Sequence, residues 1–529
     1  PEAAIPGAYN YAQRAWFDGI GATGRAWDMP VIVEQAPEGA GSWLGRTRAN
    51  LSAHIASRLA GSEGGVATAF VTGDRGGISE ADAEAMRRSG LAHLLSISGL
   101  HVTAVVAATM LLVLKLLALS PRLALHAPLL LIAAGAAALA GVGYTLLSGA
   151  EVPTIRSCIA ALLVLAGIAL GRDAITLRLV ATGAIVVLLL WPESVVGPSF
   201  QLSFAAVTAI VALHEHPRAK ALLSRRDESI LAKLGRFGLG LLLTGIVVEI
   251  VLMPIALYHF HQAGLYGALA NIAAIPLTTF VIMPLEALAL LLDIAGLGAP
   301  VWWLAGQAIG LLLDIAHAVS SAPGAVARLP SMPALAFALI VAGGLWLCLW
   351  RTRWRLAGAI PALIGALWAL ATPPPDILVN NDGRHMALRT EEQRLVVLRP
   401  RAGEYIRDTF NEGSGLEAEI GALDELPQAI CGDDSCRAVI VRGDRRWRIF
   451  ATRSRHYLPW PAMIAECAAS DIVISSRTLP ETCQPRELKA DRRLLARTGG
   501  MAITLGDNLR VVTVRAPGDD HPWVRALAR

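Results

Sequence analysis

Between residues 102 and 372 apolar runs follow one another with only short polar breaks. A helix needs about 20 apolar residues to cross hydrocarbon. Inside a bilayer every backbone polar group must be paired within the protein, which for runs of this length means helices. Ten candidate spans are centred near residues 111, 137, 163, 184, 206, 248, 278, 310, 342 and 364. Several are short, so some are candidates for broken or re-entrant segments. The run 265–292 carries Pro276 and Pro284, which predicts a kink or break there. A chain with 54% hydrophobic and only 17% charged residues is a polytopic α-helical membrane protein. A wholly soluble globular enzyme is excluded.

The charges orient the spans. Residues 214–236 carry Arg218, Lys220, Arg225, Arg226, Lys233 and Arg236, and residues 351–355 carry Arg351, Arg353 and Arg355. Arg122 follows the first span, and Arg172 and Arg178 lie between the third and fourth. The segments 148–154, 191–199 and 321–332 are poor in Lys and Arg. Lys and Arg collect on cytoplasmic loops. With ten spans, parity then places both chain ends outside the cytoplasm. The net charge of +4 argues neither for nor against a nucleic-acid partner.

Beyond residue 372 the character changes. Pro373-Pro374-Pro375 is a stiff linker, and strand signals follow at 376–379, 386–389, 395–398, 439–441, 447–451, 471–474, 501–505 and 511–514. Helical patterns at 404–410 and 460–469 lie between them, so residues 373–529 read as a soluble mixed α/β domain. Cys158 and Cys348 lie in apolar runs and read as small hydrophobes. Cys431, Cys436, Cys467 and Cys483 fall in the soluble part, where two disulfides of open connectivity are expected in an oxidising compartment; a zinc site competes, without CxxC spacing to support it. Residues 1–60 read as a short helix near 9–20, extended pieces through 31–33 and an amphipathic helix at 46–59. Pro1 is no initiator, and the true N-terminus is expected to precede it.

Polar residues gather where spans begin, which is costly unless they meet partners or water. The stretch 89–101, SGLAHLLSISGLH, holds His93, Ser96, Ser98 and His101. On a continuous helix His93 and His101 share a face. A metal site, a polar pore lining and interfacial packing all remain open for them, although HExxH is absent. Upstream, Asp74-Arg75 forms either a surface ion pair or a support for a pore-mouth loop, and Ser79 with Asp82 caps a helix expected to run to about residue 95. Arg156 lies a turn inside its span, with snorkelling, pairing to Glu151 and phosphate contact as alternatives. Gln201 and Ser203 begin the span near 206, Asn271 begins the one near 278, and Glu249 and Glu286 sit within apolar runs. Any one of these serves well as interhelical glue. As a set they point to a polar interior path.

Residues 93–101, HLLSISGLH, are similar to the HLLxISGLH signature of the ComEC family of DNA-uptake channels. Thr72-Gly73-Asp74-Arg75 before it, the Pro153…Arg156 helix start, Ser199-Phe200-Gln201-Leu202-Ser203-Phe204 and Leu269–Pro276 also resemble that family, in order, with Ser199-Phe200 where Gly-Phe is usual. The resemblance runs from about residue 67 to 292. It implies an inner-membrane channel for single-stranded DNA, lined by His93, Ser96, Ser98, His101, Arg156, Gln201, Ser203 and Asn271, with Asp74 and Arg75 supporting its mouth. It further implies residues 1–60 as the truncated tail of an OB-like module, a channel domain at 61–372 and a periplasmic metallo-β-lactamase-like domain at 373–529. Implied partners are single-stranded DNA, lipid, a periplasmic DNA receptor, a cytoplasmic motor or DNA-binding protein, and another copy of the chain.

The nuclease ligand cluster HxHxDH does not occur, and where the active fold carries a histidine-bearing turn this chain has Ser475-Ser476-Arg477. The domain therefore reads as a degenerate, catalytically dead relative or as a different small domain, with no metal or cofactor expected. Arg442, Arg445, Arg446, Arg448, Arg453 and Arg455, around Trp447 and Tyr457, are candidates for phosphate and base contact or for a solvated hairpin face. No GxxxxGK[ST] occurs, so a motor must act from outside the chain. Two other readings stay open: an intramembrane hydrolase using His93 and His101, and a transporter of another polymer.

Overall fold

The computed structural model describes residues 2–24, 26–29, 31, 42–172, 176–224, 229–416, 420–454 and 456–528. Residues 32–33, Arg225, Arg226 and Arg455 lie outside the described residues. Each predicted span centre falls in a helix. Among the described residues seven helical spans are long and apolar enough to cross a membrane: Gly99–Ala118, Leu129–Leu147, Val152–Ala169, Ile230–Phe260, Gly267–Asp293, Ala299–Ser320 and Arg353–Ala371. The other three predicted spans are Leu177–Leu190, Pro198–Glu215 and Ala334–Leu349. Leu177–Leu190 has 14 residues, which at 1.5 Å per residue is about 21 Å, short of a hydrocarbon core of about 30 Å.

The proline-bearing run resolves as predicted into a broken span. Gly267–Leu277 contains Pro276, a π-helical turn occupies Thr278–Ile282, and Met283–Asp293 resumes with Pro284 in its first turn. A π-turn absorbs the ladder bond that a proline cannot donate.

Two of the basic loops meet. Arg351 pairs with Glu215 at 2.8 Å, bringing the 351–355 loop against the end of Pro198–Glu215. At the other end of the bundle Gln262–Gly264 pairs antiparallel with Val326–Arg328. The soluble domain rests on this second end, where the Arg328 Nη1 donates to the Leu416 carbonyl at 3.0 Å.

That domain stacks two sheets. One has the order of strands Arg510–Thr513, Met501–Thr504, Ile377–Val379, Met386–Arg389, Leu395–Val397 and Gly421–Ala422; the other runs Leu488–Ala490, Ile472–Ile474, Arg445–Thr452, Ser435–Arg442 and Ala429–Cys431. Their facing sides share one core, including Ile377, Val379, Leu388, Trp447, Ile449, Ile474 and Ile503. Alternate residues turn outward, as a period of two requires. Leu378, Ala387 and Val397 meet Phe410 of helix Glu404–Ser414, and Phe450 and Val473 meet Met463 and Cys467 of helix Trp460–Ala469. The result is a four-layer α/β/β/α sandwich.

Four predicted cysteines form two bridges, Cys431–Cys436 and Cys467–Cys483. The second closes a separation of 16 residues, and both its cysteines are fully buried. Cys467→Ser is therefore expected to lower the domain's stability by about 3 kcal/mol, the loop-closure value for such a length. A urea series followed by limited proteolysis checks this, and an unmoved midpoint would refute it.

Residues 1–60 differ from the OB-tail expectation. Their described part forms helices Tyr11–Phe17 and Trp43–Arg58 and no strand. Trp43–Arg58 joins the membrane bundle: Ile55 is buried with Val66, Phe70 and Ile309. Asp293 accepts from His54 Nε2 and Trp302 Nε1, each at 2.7 Å, and pairs with Arg58 at 3.0 Å. The helical bundle thus starts before residue 61. Residues 2–8 meanwhile strap the soluble domain to the bundle. Ile5 packs on Phe410, Glu2 pairs with Arg515, and His261 Nε2 bonds the Gly7 carbonyl at 3.1 Å.

Candidate functional site

The predicted helix after Ser79 is shorter than expected. Ser79 caps it through the Asp82 N–H at 3.1 Å, but Glu80–Arg88 ends where Gly90 takes φ +76°. A left-handed φ suits glycine, and a Cβ at Gly90 would lie 3.0 Å from the Gly267 Cα. Gly264 also crosses here, its Cβ position 3.1 Å from the Gly90 nitrogen. Three glycines let the signature loop pass flush against the start of Gly267–Leu277. A short 3₁₀ turn at Ala92–Leu94 follows, and a new helix opens at Gly99.

That break separates the two histidines. His93 is exposed to a cavity and its Nδ1 bonds the Gly90 carbonyl at 3.1 Å. His101 is fully buried, with its ring 5.0 Å from that of Phe70. Its Nδ1 accepts from the Ser98 N–H at 3.4 Å and lies 3.2 Å from the Ser98 hydroxyl, completing a capping box. Shared-face reasoning fails here because residues 93 and 101 are not on one helix. His101 is a cap and packing residue, away from the cavity lining. Among the described residues no three His, Cys, Asp or Glu groups gather as metal ligands.

The cavity has a volume of about 3610 Å³, several times the roughly 300–1,000 Å³ of small-molecule pockets. His93, Ser96, Ser98, Arg156, Ser203 and Asn271 all line it. Ser96 donates to the His93 carbonyl at 3.2 Å. Arg156, buried within its helix, reaches across to the next span start, donating to the Ser199 carbonyl at 3.0 Å and hydroxyl at 2.7 Å. Its predicted partner Glu151 is taken by Arg75 instead, at 3.3 Å. Asp74 shapes its own turn, accepting the Gly76 N–H at 3.0 Å. Thr154 donates to the Ile97 carbonyl at 3.2 Å, tying this helix start to the signature loop.

Gln201 stands just behind the wall. Its Nε2 donates to the Val195 carbonyl at 3.0 Å, and its Oε1 lies 2.8 Å from Nε2 of His259, which does face the cavity. Glu249 also lines the space and accepts the Ala268 N–H at 2.6 Å, capping the broken span. Groups that local sequence reasoning missed come from far along the chain: Asn10 and Gln13 of the N-terminal segment, and Glu404, Asp408 and Glu412 of the soluble domain. The last three recur every four residues on one helix, a visible periodicity whose destination no local signal reveals.

A model of the Competence protein family matches residues 70–354, more than half of the chain. The chain belongs to the competence protein family. Every cavity-lining residue predicted from the sequence falls inside the matched interval, and the α/β sandwich falls outside it. ComE operon protein 3 of Bacillus subtilis (strain 168) is 26% identical over 289 residues, covering 53% of this chain and 33% of that protein. Competence protein ComA of Neisseria gonorrhoeae is 32% identical over 274 residues, 50% of this chain and 36% of that protein. Uncharacterized protein YcaI of Escherichia coli (strain K12) is 28% identical over 234 residues, 43% and 29% of the two chains. The matches span about a third of the length of these curated relatives. No solved structure matches. With its apolar helices, the family assignment makes this a multi-pass membrane protein.

The competence-family signature is thus a backbone device as much as a set of side chains. Gly90 ends one helix and the next opens only at Gly99, so that His93, Ser96 and Ser98 face the space that Arg156, Ser203 and Asn271 reach from three other segments.

Proposed function

We propose that this protein is an inner-membrane channel that carries single-stranded DNA into a bacterial cytoplasm during natural transformation. One observation carries the reading: the span-initial polar groups of the competence-family region converge from separate helices on one large cavity. A strand would thread past His93, Ser96, Ser98, Arg156, Ser203 and Asn271. Both signs of charge face the space, including Arg156 and Glu151. Passage needs binding weak enough to release.

In this reading all ten predicted spans cross the membrane, and the basic loops face the cytoplasm. The Arg351–Glu215 contact supports a common side for two of those loops. The soluble domain and residues 2–24 then lie in the periplasm, which suits two disulfides. The soluble domain is a non-enzymatic relative of metallo-β-lactamase-like domains. A periplasmic receptor delivers the strand, and a cytoplasmic motor or DNA-binding protein pulls it from the basic-loop side. Further copies of the chain are compatible partners.

The test is uptake of labelled DNA into a nuclease-protected cytoplasmic pool, in wild-type cells, a deletion, and cells making Ser203→Trp at normal membrane level. The indole would fill the path at a lining residue, so uptake should fall at least tenfold in the variant and vanish in the deletion. Normal uptake in the deletion would overturn the reading. His101→Ala would report packing rather than the path.

A further inference from the structure

Four arginines meet at one edge of the soluble domain, each from a different loop. Arg384 lies in the turn before Met386–Arg389, Arg399 follows Leu395–Val397, Arg453 follows Arg445–Thr452, and Arg477 follows Ile472–Ile474. The loops are tied to one another. Arg399 Nε donates to the Arg453 carbonyl at 2.8 Å and Arg477 Nη2 donates to the Ser454 carbonyl at 3.1 Å. The Thr452 and Ser475 hydroxyls lie 2.9 Å apart, and a Cβ at Gly383 would come within 2.8 Å of the Ser475 carbonyl.

The donors are not all used. Arg399 Nη1 and Arg477 Nε are buried without a partner, which is unfavourable unless something accepts from them. Burial, together with the neighbouring Arg384, Arg453 and Arg477, holds the Arg399 guanidinium below its ordinary range. Three carboxylates stand nearby: Asp424 takes Arg453 at 3.1 Å, Asp382 accepts the Arg384 N–H at 2.8 Å, and Asp434 accepts from the Ser454 hydroxyl. Positive charge remains in excess. Tyr457 is 84% exposed, with Arg477 5.1 Å above one face of its ring. A flat ring beside planar donor forks matches a base beside its phosphates.

We propose that Arg384, Arg399, Arg453 and Arg477 bind the phosphodiester backbone of a single-stranded polynucleotide, with a base stacked on Tyr457. The proposal rests on the DNA-channel reading and gives the soluble domain a part in it: holding the strand outside the membrane. Of the arginines expected to do this from the sequence, Arg453 belongs to the set, and two others are engaged elsewhere. Arg442 pairs with Asp376, and Arg445 pairs with Glu487 and covers Trp447.

The test measures anisotropy of a fluorescent 20-nucleotide oligo-dT with the purified full chain over a salt series. Arg384→Ala with Arg477→Ala should weaken binding at least tenfold. It should also make the slope of log affinity against log salt shallower by about 1.4, from roughly 0.7 per phosphate on single strands. Tyr457→Ala should weaken binding at least fivefold, as loss of one stacked base does. Arg477 also supports the Ser454 loop, so Arg384→Glu, at an exposed side chain, separates charge from folding and should weaken binding by itself. Unchanged oligo-dT affinity in these variants overturns the proposal. So does arginine-dependent binding of phosphatidylglycerol vesicles with oligo-dT binding unaffected. Ser203→Trp, read by uptake alone, tests the channel reading separately. If it blocks uptake while the arginine variants bind normally, this proposal alone fails; if it spares uptake while they lose binding, the channel reading alone fails.

Discussion

Asp376→Ala is expected to unfold the soluble domain under conditions where the wild-type domain stays folded. The Asp376 side chain is 1% exposed, and its Oδ1 accepts from Arg389 Nη2 and Arg442 Nε at 2.7 Å each. Its Oδ2 accepts the Leu505 N–H at 2.7 Å. One carboxylate thus joins the strand leaving the membrane to both sheets of the sandwich. Truncation would leave two guanidinia largely buried without a counter-charge, and breaking such a group costs about 3–5 kcal/mol. Whole domains are stable by only about 5–15 kcal/mol. Asp376→Asn keeps the shape and an acceptor, so it should lose about half as much, in line with about 1.5–3 kcal/mol for a hydrogen bond to a charged group. Limited proteolysis of the full chain across a urea series reads both. Equal midpoints for wild type and Asp376→Ala would refute the argument.

Arg156→Ala should reduce DNA uptake at least tenfold at normal membrane level. Arg156 braces two helix starts, through the Ser199 carbonyl and hydroxyl, and faces the cavity from a largely buried stem. Alanine removes both donors and the charge. Lysine supplies a point charge without the planar fork, so Arg156→Lys should fall between alanine and wild type. Arg156→Gln separates the two roles, because its amide donates without charge. Recovery with glutamine would assign Arg156 to bracing, and recovery with lysine alone would assign it to charge on the path. Wild-type uptake in Arg156→Ala would remove it from the site.

Much of the site was legible because polar groups at span starts stand out against apolar runs. His93, Ser96, Ser98, Arg156, Ser203 and Asn271 reach one cavity. His101 did not, since periodicity presumes an unbroken helix and the Gly90 backbone ends one. Arg442 was misplaced for another reason. Its charge reads as surface until Asp376, 66 residues earlier in the chain, is seen beneath it.

Local patterns in the sequence sufficed for the ten apolar segments, the break at Pro276, eight of the eleven described strands beyond residue 372 and the four cysteines that bridge. These follow from local periodicity, backbone constraint and composition, which act within a few residues. Tertiary packing alone settles which cysteines pair, that Glu151 takes Arg75 while Arg156 meets Ser199, that residues 43–58 belong to the bundle, and that four arginines from four loops share one edge. Those outcomes depend on contacts between segments far apart in the chain. The energies that select them come from burial and pairing among groups that have no local signature.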